Sequence, residues 1–72
     1  MNTLAPFRSR SEALRLQSAL KEHRVAAAVI NTPSYMGQSC GLSVTFPHEY
    51  QALAKSLIDK YRLASFAGFF PR

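Results

Sequence analysis

The stretch Thr32–Phe46, TPSYMGQSCGLSVTF, contains a proline turn, a polar loop with a glycine, and then the single cysteine of the chain. After Gly41, apolar and polar residues alternate as far as Phe46. This alternation predicts a strand with one face in the core and a polar outer face. We infer that the rest of the chain holds Cys40 at a junction between a loop and a strand.

A helix precedes this stretch. Ser9 and Glu12 have the S-x-x-E spacing of a capping box, in which the serine hydroxyl accepts from a first-turn N–H and the glutamate bonds back to the serine N–H. Ala13, Leu16 and Leu20 follow with helical spacing. The sequence therefore predicts a helix over residues 9–24.

Two further segments before Thr32 have the character of strands. The continuous apolar run Val25–Ile30 has the length of a strand, and Pro33 lies just beyond its end. Met1–Phe7 predicts a first strand on weaker evidence, because Pro6 restricts it to an edge position or to a strand end.

A second helix and a last strand follow Phe46. Pro47 suits the first turn of a helix, and apolar residues recur at helical spacing from Tyr50 to Tyr61, the strongest periodic signal in the chain. The aromatic segment Ala64–Phe70 predicts a final strand. The order β-α-β-β-α-β is typical of a ferredoxin-like α+β sandwich, with two helices on one face of an antiparallel sheet. We expect one domain over residues 1–72.

Composition limits the function classes. The chain has 72 residues, one cysteine and a net charge of +5. No intramolecular disulfide can form, and no Cys/His spacing predicts a metal site. We expect no cofactor, no membrane segment and a cytoplasmic location, because no leader and no long apolar run is present. The basic residues are spread along the chain, which favours a solvated basic surface over a nucleic-acid site.

The predicted topology gives Cys40 a chemical environment. With the usual strand order 4-1-3-2, the third strand begins beside the end of the first strand and the N-terminus of the first helix. Backbone N–H groups and the helix dipole stabilise an anion there, and the thiolate is the reactive form of cysteine. In the alternative interpretation, the cysteine is a small buried hydrophobe. The candidate site comprises Cys40 as the reactive thiol, with Ser39, Gly41, Arg8, Ser9 and Arg10 around it.

Several of these segments resemble the small bacterial family of selenium/sulfur carrier-like proteins. The shared features are Phe7 and Ser9 ahead of the first helix, then Thr32-Pro33, and above all the segment Ser39-Cys40-Gly41-Leu42. The resemblance covers residues 5–61. It implies that Cys40 carries sulfur as a persulfide, or selenium as a selenosulfide, between donor and acceptor proteins.

One position departs from the family pattern. The family usually has a basic residue just after the proline, whereas Ser34 and Tyr35 follow Pro33 here. This difference weakens the prediction of an anion site in that loop.

Other functions remain as alternatives. The chain is expected to be a protein-interaction module, homodimeric through its sheet, if Cys40 is structural. RNA binding is disfavoured, because the outer face of the third strand offers Ser43 and Thr45 rather than aromatic side chains. An enzyme is disfavoured, because His23 and His48 are predicted at the end of the sheet away from Cys40.

Overall fold

The computed structural model describes residues 2–32 and 41–71. In these residues the elements in chain order are β1 (Asn2–Phe7), α1 (Arg10–Glu22), β2 (Ala28–Asn31), β3 (Leu42–Pro47), α2 (Gln51–Tyr61) and β4 (Phe70–Pro71), with a 3-10 turn at His48–Tyr50. The predicted element order is confirmed. Within the described ranges, neither helix is long and apolar enough to cross a membrane.

The four strands form one antiparallel sheet in the order β2-β3-β1-β4, which is the predicted order. β1, the element that the sequence indicated most weakly, lies inside the sheet and pairs with β3 from Asn2 opposite Pro47 to Phe7 opposite Leu42. Of the two positions predicted for Pro6, the end of a strand is therefore confirmed and the edge of the sheet is wrong. Its carbonyl oxygen accepts from the N–H of Ala67, 3.0 Å away, on the β4 side. Because N and C=O of one strand residue point the same way, the missing N–H costs no bond to β3.

Both helices pack on one face of the sheet and enclose the core. Ala5 and Val44 are direct cross-strand partners on this face, and both are fully buried. The helical side chains that cover them recur at the predicted spacing, so that each helix is apolar toward the sheet. They are Ala13, Leu16, Ala19 and Leu20 on α1, and Ala54, Leu57 and Ile58 on α2. The structure confirms the ferredoxin-like α+β class.

β2 begins later than the predicted strand Val25–Ile30. The N–H of Val25 donates to the Leu20 carbonyl at 3.0 Å, and the Gln17 side chain donates to the carbonyl of Ala27 at 3.3 Å. The first half of the apolar run therefore completes the C-terminal end of α1. Only the second half reaches β3.

The last strand is much shorter than predicted. Of the segment Ala64–Phe70, only Phe70 belongs to β4, and Phe66 makes one isolated bridge to β1. Gly68 lies between them at φ +121°, a conformation that turns the chain and suits glycine. Phe66 and Phe69 pack against the core, whereas Phe70 is 37% exposed.

The ends of the helices differ in detail from the prediction. Pro47 is the last, extended residue of β3 rather than the first turn of α2, and the 3-10 turn follows it. The spacing from Tyr50 to Tyr61 is confirmed. α2 ends at Arg62 with φ 54°, and the residue Arg24 just beyond α1 has φ 62°, so that both arginines adopt the left-handed conformation.

The outer face of β3 has the predicted polar residues but not the predicted exposure. Ser43 is fully buried and Thr45 is 6% exposed. Each lies opposite a larger neighbour in the sheet, Ile30 beside Ser43 and Leu4 beside Thr45. The Ser43 hydroxyl lies 2.9 Å from that of Thr32, which satisfies it in its buried position.

Candidate functional site

The start of β3 lies against the end of β1, as predicted. Leu42 is the cross-strand partner of Phe7, and Gly41 precedes this pair at φ +113°. A Cβ on residue 41 would overlap the carbonyl oxygen of Phe7 and would lie 3.3 Å from the Cα of Arg8. Only glycine fits this backbone approach. Ser39 and Cys40, the other predicted residues of this segment, lie outside the described residues.

The N-terminus of α1 lies at the same end of the sheet. Ser9 is the N-cap, and its hydroxyl accepts from the N–H of Glu12 at 3.3 Å, which confirms the first half of the predicted capping box. The Ser9 hydroxyl also lies 2.9 Å from that of Ser11. The Ser9 hydroxyl is therefore already engaged in capping the start of α1.

Ser65, in the segment between α2 and β4, replaces the second half of the capping box. The N–H of Ser9 donates to the Ser65 hydroxyl at 3.1 Å instead of to Glu12. The Ser65 hydroxyl and N–H both donate to Oε1 of Glu12, at 2.6 and 2.8 Å. The Ser65 carbonyl accepts from the N–H of Arg8 at 3.3 Å. One residue thus joins the α2–β4 segment to both the end of β1 and the start of α1.

This bonding sets the charge of Glu12. The hydrogen bond from the Ser65 hydroxyl, followed by that from the Ser65 N–H, holds the pKa of the Glu12 carboxyl below its ordinary value of 4.5. A carboxylate is therefore present near the α1 N-terminus. Arg8 and Arg10, the predicted cationic neighbours of the thiol, are both exposed at this end, so that two cations accompany one anion.

Sequence reasoning missed Ser65. It lies 53 residues from Glu12 along the chain, and no local spacing relates the two. The only signal available was the glutamate of the S-x-x-E motif, which shows that an acceptor is present but not which donor reaches it.

A depression of about 520 Å³ opens at this end of the molecule. Beneath it, the ring of Phe66 lies 5.6 Å from that of Phe7 and 4.8 Å from that of Phe69, measured between centroids. These aromatic contacts give the depression a packed floor. Its lining consists of Arg8, Glu12, Ala64, Ser65, Phe66 and Ala67.

The histidines lie away from this end, as predicted. His48 is at the start of β1, where its Nδ1 lies 3.1 Å from the hydroxyl of Thr3. Thr3 and Phe7 are separated by four residues of strand, or about 13 Å at the usual rise. His23 is the C-cap of α1, at the end of the helix away from Ser9. Neither histidine is positioned to act as a base at the Gly41 end.

Comparison with known protein families identifies the family of this chain. A sequence model of the family described as "Putative Se/S carrier protein-like" matches residues 2–67 of the 72-residue chain. No curated protein and no solved structure matches the chain. The family match runs from the start of β1 through Gly41 to the Ser65 segment, so it includes all the elements that meet at the candidate site. The chain belongs to the Se/S carrier protein-like family.

Proposed function

We propose that this protein carries sulfur or selenium on the thiol of Cys40 and passes it from a donor protein to an acceptor protein. The observation that supports this most directly is the close approach of Gly41 to the backbone of Phe7 and Arg8. Cys40 is bonded to Gly41 in the chain. The residue that the family resemblance marks is therefore attached to a glycine that packs against the backbone just before the N-terminus of α1.

The charges at this end favour an anionic sulfur. The helix N-terminus contributes a partial positive charge, and the exposed Arg8 and Arg10 add two formal charges against the one carboxylate of Glu12. A thiolate and a persulfide anion are both stabilised in such a field. The net stabilisation of an anionic sulfur is modest, because some of the hydrogen-bond donors at this end are already engaged with Glu12 and Ser65.

The transfer needs no cofactor and no oxidant. In the sulfur case, the Cys40 thiolate attacks the outer sulfur of a donor persulfide, the S–S bond of the donor breaks, and the donor thiolate leaves with the electron pair. Cys40 then holds a persulfide, and the acceptor thiolate removes the outer sulfur by the same exchange in reverse. The protein acts as a carrier rather than as an enzyme. A compartment that keeps thiols reduced, such as the cytoplasm, suits this chemistry.

The first test is the pH dependence of Cys40 alkylation in the native and the unfolded chain. We expect native alkylation with a thiol pKa below the ordinary ~8.5, and we expect it to rise toward that value in the double variant Arg8→Gln/Arg10→Gln. Lys21→Gln/Arg24→Gln, which removes two charges at the far end of α1, is the matched control.

The second test is the intact mass after exposure to a persulfide donor. The carrier function predicts the added mass of one sulfur, removed by dithiothreitol and absent in Cys40→Ser. A thiol that reacts only after unfolding would refute the carrier function. It would instead support the alternative, a homodimeric interaction module in which Cys40 is structural.

A further inference from the structure

The charged residues that the structure describes lie outside the strands of the sheet. The four strands, Asn2–Phe7, Ala28–Asn31, Leu42–Pro47 and Phe70–Pro71, contain no charged residue. The charges lie on the helices and on the segments that flank them. Those at the Gly41 end include Arg8, Arg10 and Glu12 near the start of α1, and Lys60 and Arg62 at the end of α2, where Asp59 is paired with Lys55.

Among the described residues, none forms an ion pair with the three arginines at this end. Over residues 2–32 and 41–71, the single ion pair joins Lys55 to Asp59 on α2. Arg8, Arg10 and Arg62 are all exposed. Glu12, the acidic residue among them, has its Oε1 occupied by two hydrogen bonds from Ser65. This end therefore presents a net positive surface, and Arg8 is the arginine that lines the depression.

The shape of this surface suits a protein better than a nucleic acid. Ala64, Phe66 and Ala67 give the depression an apolar part next to Arg8, a combination found at protein interfaces, where an apolar centre has a charged rim. Single-stranded nucleic acids need exposed aromatic rings for stacking. Here the rings of Phe66 and Phe69 pack against each other and against the core.

We propose that the surface formed by Arg8, Arg10, Arg62 and the Ala64–Ala67 segment is the docking site for an acidic surface of the partner protein. This inference rests on the proposed function for the identity of the partner, as the protein that exchanges sulfur or selenium with Cys40. Complementary charge at the rim speeds encounter and orients the partner, while the apolar depression supplies contact area. The docking is therefore expected to weaken as salt is raised.

The test uses a fluorescent oligoglutamate peptide as probe, with the full chain carrying Cys40→Ser so that sulfur chemistry plays no part. The double variant Arg8→Gln/Arg62→Gln removes two charges at the proposed surface. The matched control Lys21→Gln/Arg24→Gln removes two at the other end of α1. Each double variant replaces one arginine of positive φ, Arg62 or Arg24, so any effect of that backbone conformation is common to both. Thermal unfolding of each variant verifies its fold.

We expect the first variant to bind the peptide roughly tenfold more weakly, as the loss of two exposed ion pairs implies, and the control to change by less than about twofold. Peptide-induced amide shifts are expected at Arg8, Gly41 and Ser65. Equal weakening by both variants would show a response to net charge alone and would overturn the proposal. Tighter binding of an oligouridylate of equal charge would also overturn it, in favour of RNA.

The two proposals fail separately. If Cys40 accepts sulfur but the arginine variants bind the peptide normally, the carrier function stands and the docking surface falls. If the arginine variants lose binding but Cys40 stays unreactive until unfolding, the docking surface stands and its partner is not a sulfur donor.

Discussion

Gly41→Ala is expected to be among the most damaging single substitutions of a small residue in this protein. Gly41 has φ +113°, and a Cβ there would overlap the carbonyl oxygen of Phe7. A backbone oxygen in a paired strand cannot move aside as a flexible side chain can. The start of β3 must therefore shift relative to the end of β1, and the pair formed by Phe7 and Leu42 must loosen with it.

The magnitude follows from three contributions. Holding a residue with a side chain at such a φ costs about 1–3 kcal/mol, and the smaller conformational freedom of the unfolded alanine chain returns about 0.4–1 kcal/mol. The overlap adds roughly 1–3 kcal/mol, as for overpacking. Gly41→Ala should therefore lower the free energy of unfolding by about 1–6 kcal/mol, out of the ~4–11 kcal/mol that a chain of this length typically has.

Gly68→Ala is the matched control. Gly68 has a similar φ of +121°, but a Cβ there would meet only two ring atoms of Phe70, at 3.6 and 3.7 Å, which is ordinary contact. The φ cost and the unfolded-state gain are common to both variants. The difference between them isolates the overlap at Phe7. Urea unfolding followed by far-UV circular dichroism measures both free energies, with the midpoint read together with the slope.

We expect Gly41→Ala to be the more destabilising of the two by roughly 1–3 kcal/mol. Equal losses would refute the reasoning, because they would show that only φ matters and that Gly41 is not pressed against Phe7. A smaller loss for Gly41→Ala than for Gly68→Ala would refute it more strongly. Either result would also remove the close backbone approach on which the proposed function depends.

Two further predictions concern the helix ends. The pKa of Glu12 is lowered in the folded state, so the stability that its carboxylate contributes is complete above the ordinary pKa of 4.5 and is lost as pH falls through the lower folded value. The loss of unfolding free energy in acid should therefore be smaller in Glu12→Gln and in Ser65→Ala than in the parent. Unchanged plots of unfolding free energy against pH in these variants would contradict the Ser65 contacts. Arg62→Gly should raise the free energy of unfolding by up to ~1 kcal/mol in thermal or urea unfolding, since glycine adopts the left-handed cap without the Cβ penalty; a loss would show that the packing of the Arg62 side chain outweighs its backbone strain.

Much of the candidate site was predictable from local sequence. The S-x-x-E spacing placed Ser9 at the cap of α1, and the alternation after Gly41 placed the start of β3. Few sheet topologies are compatible with this element order, and the usual one places the start of β3, with Gly41, beside the end of β1, with Phe7 and Arg8. The role of Ser65 did not follow, because hydrogen-bond partners 53 residues apart are selected by chain closure.

The same limit explains the errors in the strands. A run such as Val25–Ile30 has the composition of a strand throughout. Val25 nevertheless donates to Leu20 at the end of α1, and Ala27 accepts from Gln17. The backbone groups of this run can bond either to the end of α1 or to β3, and the composition of the run does not show which of the two is preferred. In the same way, alternation predicted that Ser43 faces away from the helices, but its burial depends on its neighbours across the sheet.

By itself, the sequence determined the helices, the strands, their order and the residues that face the core, because the periods of 3.6 and 2 are properties of each segment alone. One cysteine followed by a glycine, with two arginines near the start of the first helix, is also the sequence pattern from which the thiol site is proposed. Only the tertiary structure decided where β2 and β4 begin, which donor reaches Glu12, and how closely Gly41 approaches Phe7. These depend on distances between segments that are remote in sequence, and such distances are set when the whole core closes.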